Sequence, residues 1–216
     1  MSQPYTLLLR LEGAMQSWGY RSRFDYRDTA LEPTRSGVIG LICAAIGIAR
    51  GEDISRFDAI RMGVRVDKEG RPERDYHTAL DVIKADGSRT DTVVSYRDYL
   101  ADASFTVGLE SENKDLLEEI AKALCNPTWT LFLGRKAFPL ALPPLSPVDC
   151  PNAGTLNEHL VSGQSNKRVV LETPDGERTQ YDWPLCFRER LFAPRRVRTF
   201  YVNPPLVKEE LCISPD

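Results

Sequence analysis

A chain of 216 residues, 42% apolar and 27% charged, can bury a sizeable core in one large domain or two small ones. No apolar run approaches the ~20 residues of a membrane span, and no basic stretch precedes the apolar N-terminal segment, so a cytoplasmic protein is expected. The net charge of −3 argues against indiscriminate polyanion binding; five scattered cysteines without a C-x-x-C pair, and only two histidines, argue against a metal site. No cofactor is expected.

In chain order, Tyr5 to Leu11 is a run of β-formers whose near-continuous apolarity predicts a central strand. Glu12 to Pro33 is polar, contains Gly13 and Gly19, and reads as a long loop of the kind that often carries function. Inside it, Met15-Gln16-Ser17-Trp18-Gly19 either offers the Trp18 ring to a nucleobase or plugs the edge of the core. Pro33-Thr34-Arg35-Ser36-Gly37 opens a helix that Thr34 or Ser36 can cap. Val38, Ile39, Ile42, Ala45 and Ile46 form its apolar stripe, and Gly51 is a plausible stop. The free N–H groups at its start would favour an anion, with Arg35 and Ser36 as further donors and Gly37 leaving room, although every helix has such an end.

Arg61 to Asp67 is a second strand with Met62, Val64 and Val66 on one face. Tyr76 to Ile83 and Thr90 to Tyr96 flank Asp86-Gly87 and predict a long β-hairpin at about 69–99, poor in large aliphatics and so projecting from the body. Ser104 to Leu109 is a third core strand. Asn113 caps a helix carrying Leu116, Leu117, Ile120, Ala121 and Leu124, which ends at Asn126-Pro127. Trp129 to Leu133 is the expected fourth strand, closed by the basic turn Gly134-Arg135-Lys136. The order β-α-β-hairpin-β-α-β predicts an α+β, ferredoxin-like domain over residues 1–140, the topology of RNA-recognition modules.

Beyond Ala137, Pro139, Pro143, Pro144, Pro147 and Pro151 mark a linker. Residues 141–216 are expected to hold this linker and a small β-rich C-terminal lobe. Val169 to Leu171 and Thr179 to Trp183 would form its hairpin around Pro174-Asp175-Gly176, followed by a basic arm from Arg188 to Arg198 and a strand from Thr199 to Val202. Arginines cluster at Arg21, Arg23 and Arg27 and again in that arm; their planar forks suit phosphate, although a solvated face with paired carboxylates is the plainer account.

Catalysis has little support. Metal-free RNA cleavage needs a base for the 2′-hydroxyl and an acid for the leaving oxygen. His77 lies on a hairpin arm and His159 in a distant polar segment, and no phosphate loop, zinc-protease motif or nucleophile elbow is present. No catalytic residue is assigned.

Five motifs in fixed order carry a resemblance: Gly13 to Gly19, Pro33 to Gly37, Arg74 to Thr78, Tyr96 to Val107, and Phe132 to Arg135. Over residues 5 to about 140 the chain resembles the CasD family, the fifth-family (RAMP) subunits of Cascade, the surveillance complex of type I-E CRISPR systems. The resemblance implies a ferredoxin-like palm with a β-hairpin thumb. It implies a non-catalytic subunit that grips the 5′ handle of the crRNA and caps one end of a ribonucleoprotein complex for RNA-guided recognition of invading DNA. Its neighbours would be the backbone subunit CasC and the large subunit CasA, with target DNA met only through the complex. By motif position, the implied RNA contacts are Gln16, Trp18, Arg35, Ser36, Arg97, Phe132, Arg135 and Lys136, with Tyr76 and His77 on the thumb. A related I-C branch cleaves its repeat RNA, so a metal-independent endoribonuclease is the alternative.

Overall fold

The computed structural model describes residues 3–19, 25–88, 90–146, 148–164 and 166–202. Arg21, Arg23 and Pro147, singled out above, lie outside the described residues. The fold is mixed α/β, rich in sheet and with few helices.

Three strands make the centre of the main sheet. They are β1 (Tyr5–Glu12), β4 (Arg61–Lys68) and β7 (Ser104–Ser111), with β7 in the middle and both neighbours antiparallel to it. The registers Leu7↔Leu109↔Met62 and Leu9↔Val107↔Val64 align the alternate apolar residues on one face, where all are buried. That face is covered by α1 (Arg35–Ile46) and α2 (Lys114–Cys125), whose Val38, Ile39, Ile42, Leu117 and Ile120 complete the main core. Thr34 caps α1 by accepting from the Gly37 N–H, and Asn113 caps α2 by accepting from the Leu116 N–H. The stop of α1 is Gly47, not Gly51: Gly47 adopts φ +93° and returns its N–H to the Cys43 carbonyl.

The opposite face is covered by α3 (Leu156–Val161). Gly63 and Gly108 face each other across β4 and β7, and the Leu156 and Leu160 side chains fill the hollow above them. Leu156, Leu160, Val169 and Val202 form a second small core there.

Two expectations are corrected. Trp129 to Leu133 is not a strand. The Thr128 and Trp129 N–H groups donate to the Ala45 and Ala44 carbonyls at the end of α1, and the Leu133 N–H donates to the Phe138 carbonyl. With those groups satisfied elsewhere, the place beside β1 falls to β8 (Asn152–Ala153), two residues long and antiparallel to it. The second correction concerns the C-terminal strands, β9 (Arg168–Glu172), β10 (Arg178–Cys186) and β11 (Leu191–Tyr201). β9 and β10 flank the Pro174-Asp175-Gly176 turn without pairing; β11, which absorbs most of the basic arm, lies between them. β9 also pairs with β4, so the sheet runs on as β10-β11-β9-β4-β7-β1-β8.

A second sheet is built around β5 (Arg71–Ile83) and β6 (Thr90–Ala101), a long hairpin with a bulge between Ala79 and Val82 where Asp81 takes φ +52°. Nearly every β5 side chain is exposed. The base of the hairpin is held by β2 (Met15–Gln16) on Leu100 and Ala101, and by β3 (Tyr26–Arg27), parallel to Tyr96 and Arg97. No helix among the described residues is long and apolar enough to cross a membrane.

The glycine pair under α3 yields a stability test. A Cβ at Gly63 would stand 2.7 Å from both Leu160 Cδ1 and Leu171 Cδ2. Gly63→Val is expected to overpack this layer and cost about 1–3 kcal/mol, read as a lowered melting temperature. An unchanged melting curve would show that α3 is not seated on the sheet in this way.

Candidate nucleic-acid interface

Three of the expected RNA contacts lie in the core. Gln16 is fully buried; its Nε2 donates to the Ala103 carbonyl at 2.8 Å, and its Oε1 accepts from Trp18 Nε1 at 3.1 Å. Trp18 is 1% exposed, and its ring fills the space that the missing Gly37 side chain leaves. The core-plug account of Trp18 therefore holds, and Gly37 makes room for an indole.

Arg35 is also 1% exposed. Its guanidinium donates to the Ile60 carbonyl (2.7 Å), the Phe57 carbonyl (3.0 Å) and Glu172 Oε2 (3.2 Å), and it lies 3.8 Å from the centre of the Trp183 ring. The expected anion site at the start of α1 is filled from within: the Arg35 N–H donates to Asp182 Oδ2 at 2.8 Å, and Asp182 in turn accepts from Arg195 Nε at 2.6 Å. Burial lowers the Arg35 pKa and raises that of Glu172.

The other expected contacts are half-buried or exposed. Ser36, Arg97, Phe132 and Arg135 are half-buried, and Lys136 is exposed. Gly134 turns its corner at φ +88° hard against the Ser17 carbonyl oxygen, 1.8 Å from where a Cβ would stand. That turn sends Arg135 back across the base of the hairpin, where its Nη2 donates to the Asp98 carbonyl at 2.8 Å. Tyr76 packs edge-on against Tyr96 at 5.5 Å on the exposed hairpin, and His77 Nδ1 lies 3.6 Å from Asp75 Oδ2. Neither lines the hollows described next.

Three hollows adjoin one another along one side of the molecule. The first, about 470 Å³, lies at the hairpin between Val82, Val93, Ser95 and Arg97 on one side and Asp25 and Arg27 on the other. The second, about 370 Å³, shares Arg27 and adds Arg50, Arg135, Arg190, Tyr181 and Phe192. The third, about 910 Å³, shares Ser36, Arg50, Gly134 and Phe187 with the second and runs between α1 and residues 128–136, past Trp129, Phe132 and Lys136. Together they form a trough with basic walls and aromatic patches.

Charge pairing distinguishes these cations from most other arginines. Most arginines outside the trough, among them Arg10, Arg56, Arg61, Arg65, Arg74 and Arg168, have carboxylate partners. Among the described residues no ion pair engages Arg27, Arg50, Arg97, Arg135, Lys136 or Arg190. Burial and then the charge of Arg97 lower the Arg135 pKa; Asp75 and Asp98 oppose the shift, and Arg27 adds to it. The motifs named Arg97, Arg135 and Lys136 as contacts but not Arg27, Arg50 or Arg190. Arg27 and Arg190 stood in the clusters noted above, and Arg50 has no signal of its own. No group of three or more His, Cys, Asp or Glu suited to a metal occurs among the described residues.

With this geometry in hand, similarity is informative. A family model described as "CRISPR-associated protein (Cas_Cas5)" matches residues 6–198. The chain is 34% identical to the CRISPR system Cascade subunit CasD of Escherichia coli (strain K12), covering 88% of this chain and 92% of that one. A solved CRISPR RNA-guided surveillance complex contains a chain that superposes with a TM-score of 0.78 at 33% identity, covering 93% of this chain and 91% of that one. A crystal structure of a Cas protein superposes with a TM-score of 0.72 at 41% identity, covering 92% and 95% respectively.

Two substitutions test the site's framework. Arg35→Ala leaves Glu172 and two carbonyls without their buried partner and is expected to cost about 3–5 kcal/mol in a denaturant titration. Retained stability would mean that the cluster is solvated. Gly134→Ala combines a left-handed φ with the clash on the Ser17 carbonyl and is expected to destabilise by roughly 1–3 kcal/mol. Wild-type melting would show that the corner relaxes freely.

Proposed function

This chain belongs to the CRISPR-associated Cas5 family, and we propose that it is the non-catalytic, RNA-gripping subunit of a type I-E Cascade surveillance complex. It holds the 5′ handle of the crRNA, caps one end of the complex, and contributes to recognition of invading DNA only through the assembled particle. CasC-type backbone and CasA-type large subunits are its neighbours. The observation that carries this reading is the gathering of unpaired cations along one trough, in a chain whose relatives belong to RNA-guided complexes. A globally acidic protein with one basic seam suits local capture of a strand and not general polyanion binding.

On this reading β1, α1, β4, β7 and α2 form the ferredoxin-like RAMP palm, and the β5–β6 hairpin is its thumb. Residues 1–140 make up palm and thumb, and residues 141–216 add the linker and the β-rich extension. Arg27, Arg50, Arg97, Arg135, Lys136 and Arg190 hold phosphates, Ser36 donates at the trough wall, and Phe132 stacks a base. Tyr76 and His77 act from the thumb, while Gln16, Trp18 and Arg35 support the site from the core.

Arg97→Ala combined with Arg135→Ala is expected to weaken binding of a handle-bearing RNA by about tenfold or more and to flatten its salt dependence by roughly two phosphate equivalents. Unchanged affinity and unchanged handle protection within the assembled complex would refute the grip. The purified chain is also expected to leave labelled repeat RNA intact in chelator. Cleavage that depends on His77 would instead establish the ribonuclease.

A further inference from the structure

Where Arg27, Arg97 and Arg135 meet, the trough has a feature that its general basic character does not require. Arg27 and Arg97 are register partners in the parallel β3–β6 pair, which sets the two residues side by side. Arg135 arrives from the Gly134 corner and spans the same place, its Nη2 3.4 Å from the Arg27 carbonyl and 2.8 Å from the Asp98 carbonyl. Arg27 stands on the wall common to the first two hollows, with Arg97 on one side and Arg135 on the other.

Two of the nearby carboxylates have other partners. Asp98 accepts from Arg74 Nε at 2.6 Å and from the Tyr26 hydroxyl at 2.5 Å, and Asp75 faces His77. Asp25 and Asp28 line the adjoining hollows, yet no ion pair joins a carboxylate to any of the three arginines among the described residues. Arg97 Nε donates to the Ser95 hydroxyl at 3.0 Å. Three guanidinium groups held close with no carboxylate in ion-pair contact among the described residues repel one another; Asp75 and Asp98 offset this for Arg135 from beyond ion-pair distance, and the half-burial of two of the three limits relief by water.

We propose that Arg27, Arg97 and Arg135 form a single phosphate seat for a backbone phosphodiester of the bound strand, and that the free chain carries their mutual repulsion as a destabilising load which the phosphate removes. The proposal rests on the RNA-gripping reading above and adds to it one seat and a coupling between binding and stability. The repulsion is present before binding and cancelled after it, so the bound phosphate stabilises the fold by linkage as well as by contact. Stability and grip should therefore change in opposite directions at these positions. Elsewhere in the trough, loss of a cation should weaken the grip alone.

The test uses the full chain with Arg27→Gln and Arg97→Gln, which spare the carbonyl contacts made by Arg135. Melting temperatures are read at low and high salt, without ligand, with inorganic phosphate at matched ionic strength, and with a short single-stranded RNA. Each variant is expected to melt about 1–2 °C above wild type at low salt, and this gain should vanish near 1 M salt, where screening acts over about 3 Å. The gain cannot come from net charge, because removing a cation from a chain of net charge −3 moves it further from neutrality. Affinity for the oligonucleotide is expected to fall roughly fivefold, with the salt slope reduced by about one.

Variants that melt at or below wild type at low salt would overturn the stored repulsion. Unchanged RNA affinity in these two, alongside weaker binding in Arg50→Gln and Lys136→Gln, would overturn the seat while leaving the trough reading intact. Unchanged affinity in all four would sink both. Stabilisation by inorganic phosphate but not by the oligonucleotide would assign the seat to a free anion and overturn the strand.

Discussion

The buried Arg35 guanidinium is the contact on which the rest of the arrangement depends. It opens α1, takes up the carbonyls of Phe57 and Ile60, and reaches Glu172 at the end of β9 under the Trp183 ring. Its own N–H holds Asp182, which is in turn held by Arg195 on β11. One side chain and its peptide thus join α1 to all three C-terminal strands. Such clusters are expensive to desolvate, and Arg35 Nε remains buried without a hydrogen-bond partner, so their contribution lies more in fixing one arrangement than in raw stability.

What that arrangement fixes is the far wall of the trough. The turn between β10 and β11 reaches back to α1, where the Arg188 N–H donates to the Arg50 carbonyl at 2.9 Å. Arg50, Phe187 and Arg190 then line the hollow opposite Gly134 and Arg135. The Arg35–Asp182–Arg195 link ties strands β10 and β11 to the start of α1, and the Arg188–Arg50 hydrogen bond ties their turn to the segment after it. The buried arginine is not among the residues that line the trough, yet it holds in place the strands that carry one of its walls.

This division explains what the sequence could disclose. Local signals were readable: the Asn113 cap, Thr34 as one of two candidate caps for α1, the near-continuous apolarity of β1, the period-two apolar face of β4, and the hairpin around Asp86-Gly87 all lie within short windows. The helix stop at Gly47 was missed because either of two nearby glycines could serve, and only the backbone angle distinguishes them. Trp129 to Leu133 had strand composition, but its N–H groups were claimed by the end of α1, a competition that no local pattern reveals. Arginine pairing was the least legible property. Arg168 finds Glu32 and Arg35 finds Glu172 across more than 130 residues, so which cations are neutralised and which remain available emerges only from the fold. Composition showed arginine clusters; the fold showed which of their described members lack an ion pair among the described residues.

The hairpin and the trough are mechanically linked by a small number of bonds. β2 contributes two residues against Leu100 and Ala101, β3 two residues against Tyr96 and Arg97, and the Tyr96 N–H donates to the Asp25 carbonyl. Arg27 rides on β3 and Arg97 on β6, and Arg135 reaches from the Gly134 corner to donate to the Asp98 and Arg27 carbonyls, so the same few bonds that brace the hairpin also hold the three arginines together. On the proposed reading, an anion seated among the three would therefore brace the base of the arm as well as being held by it, because the strand that supports the hairpin also carries part of the charge.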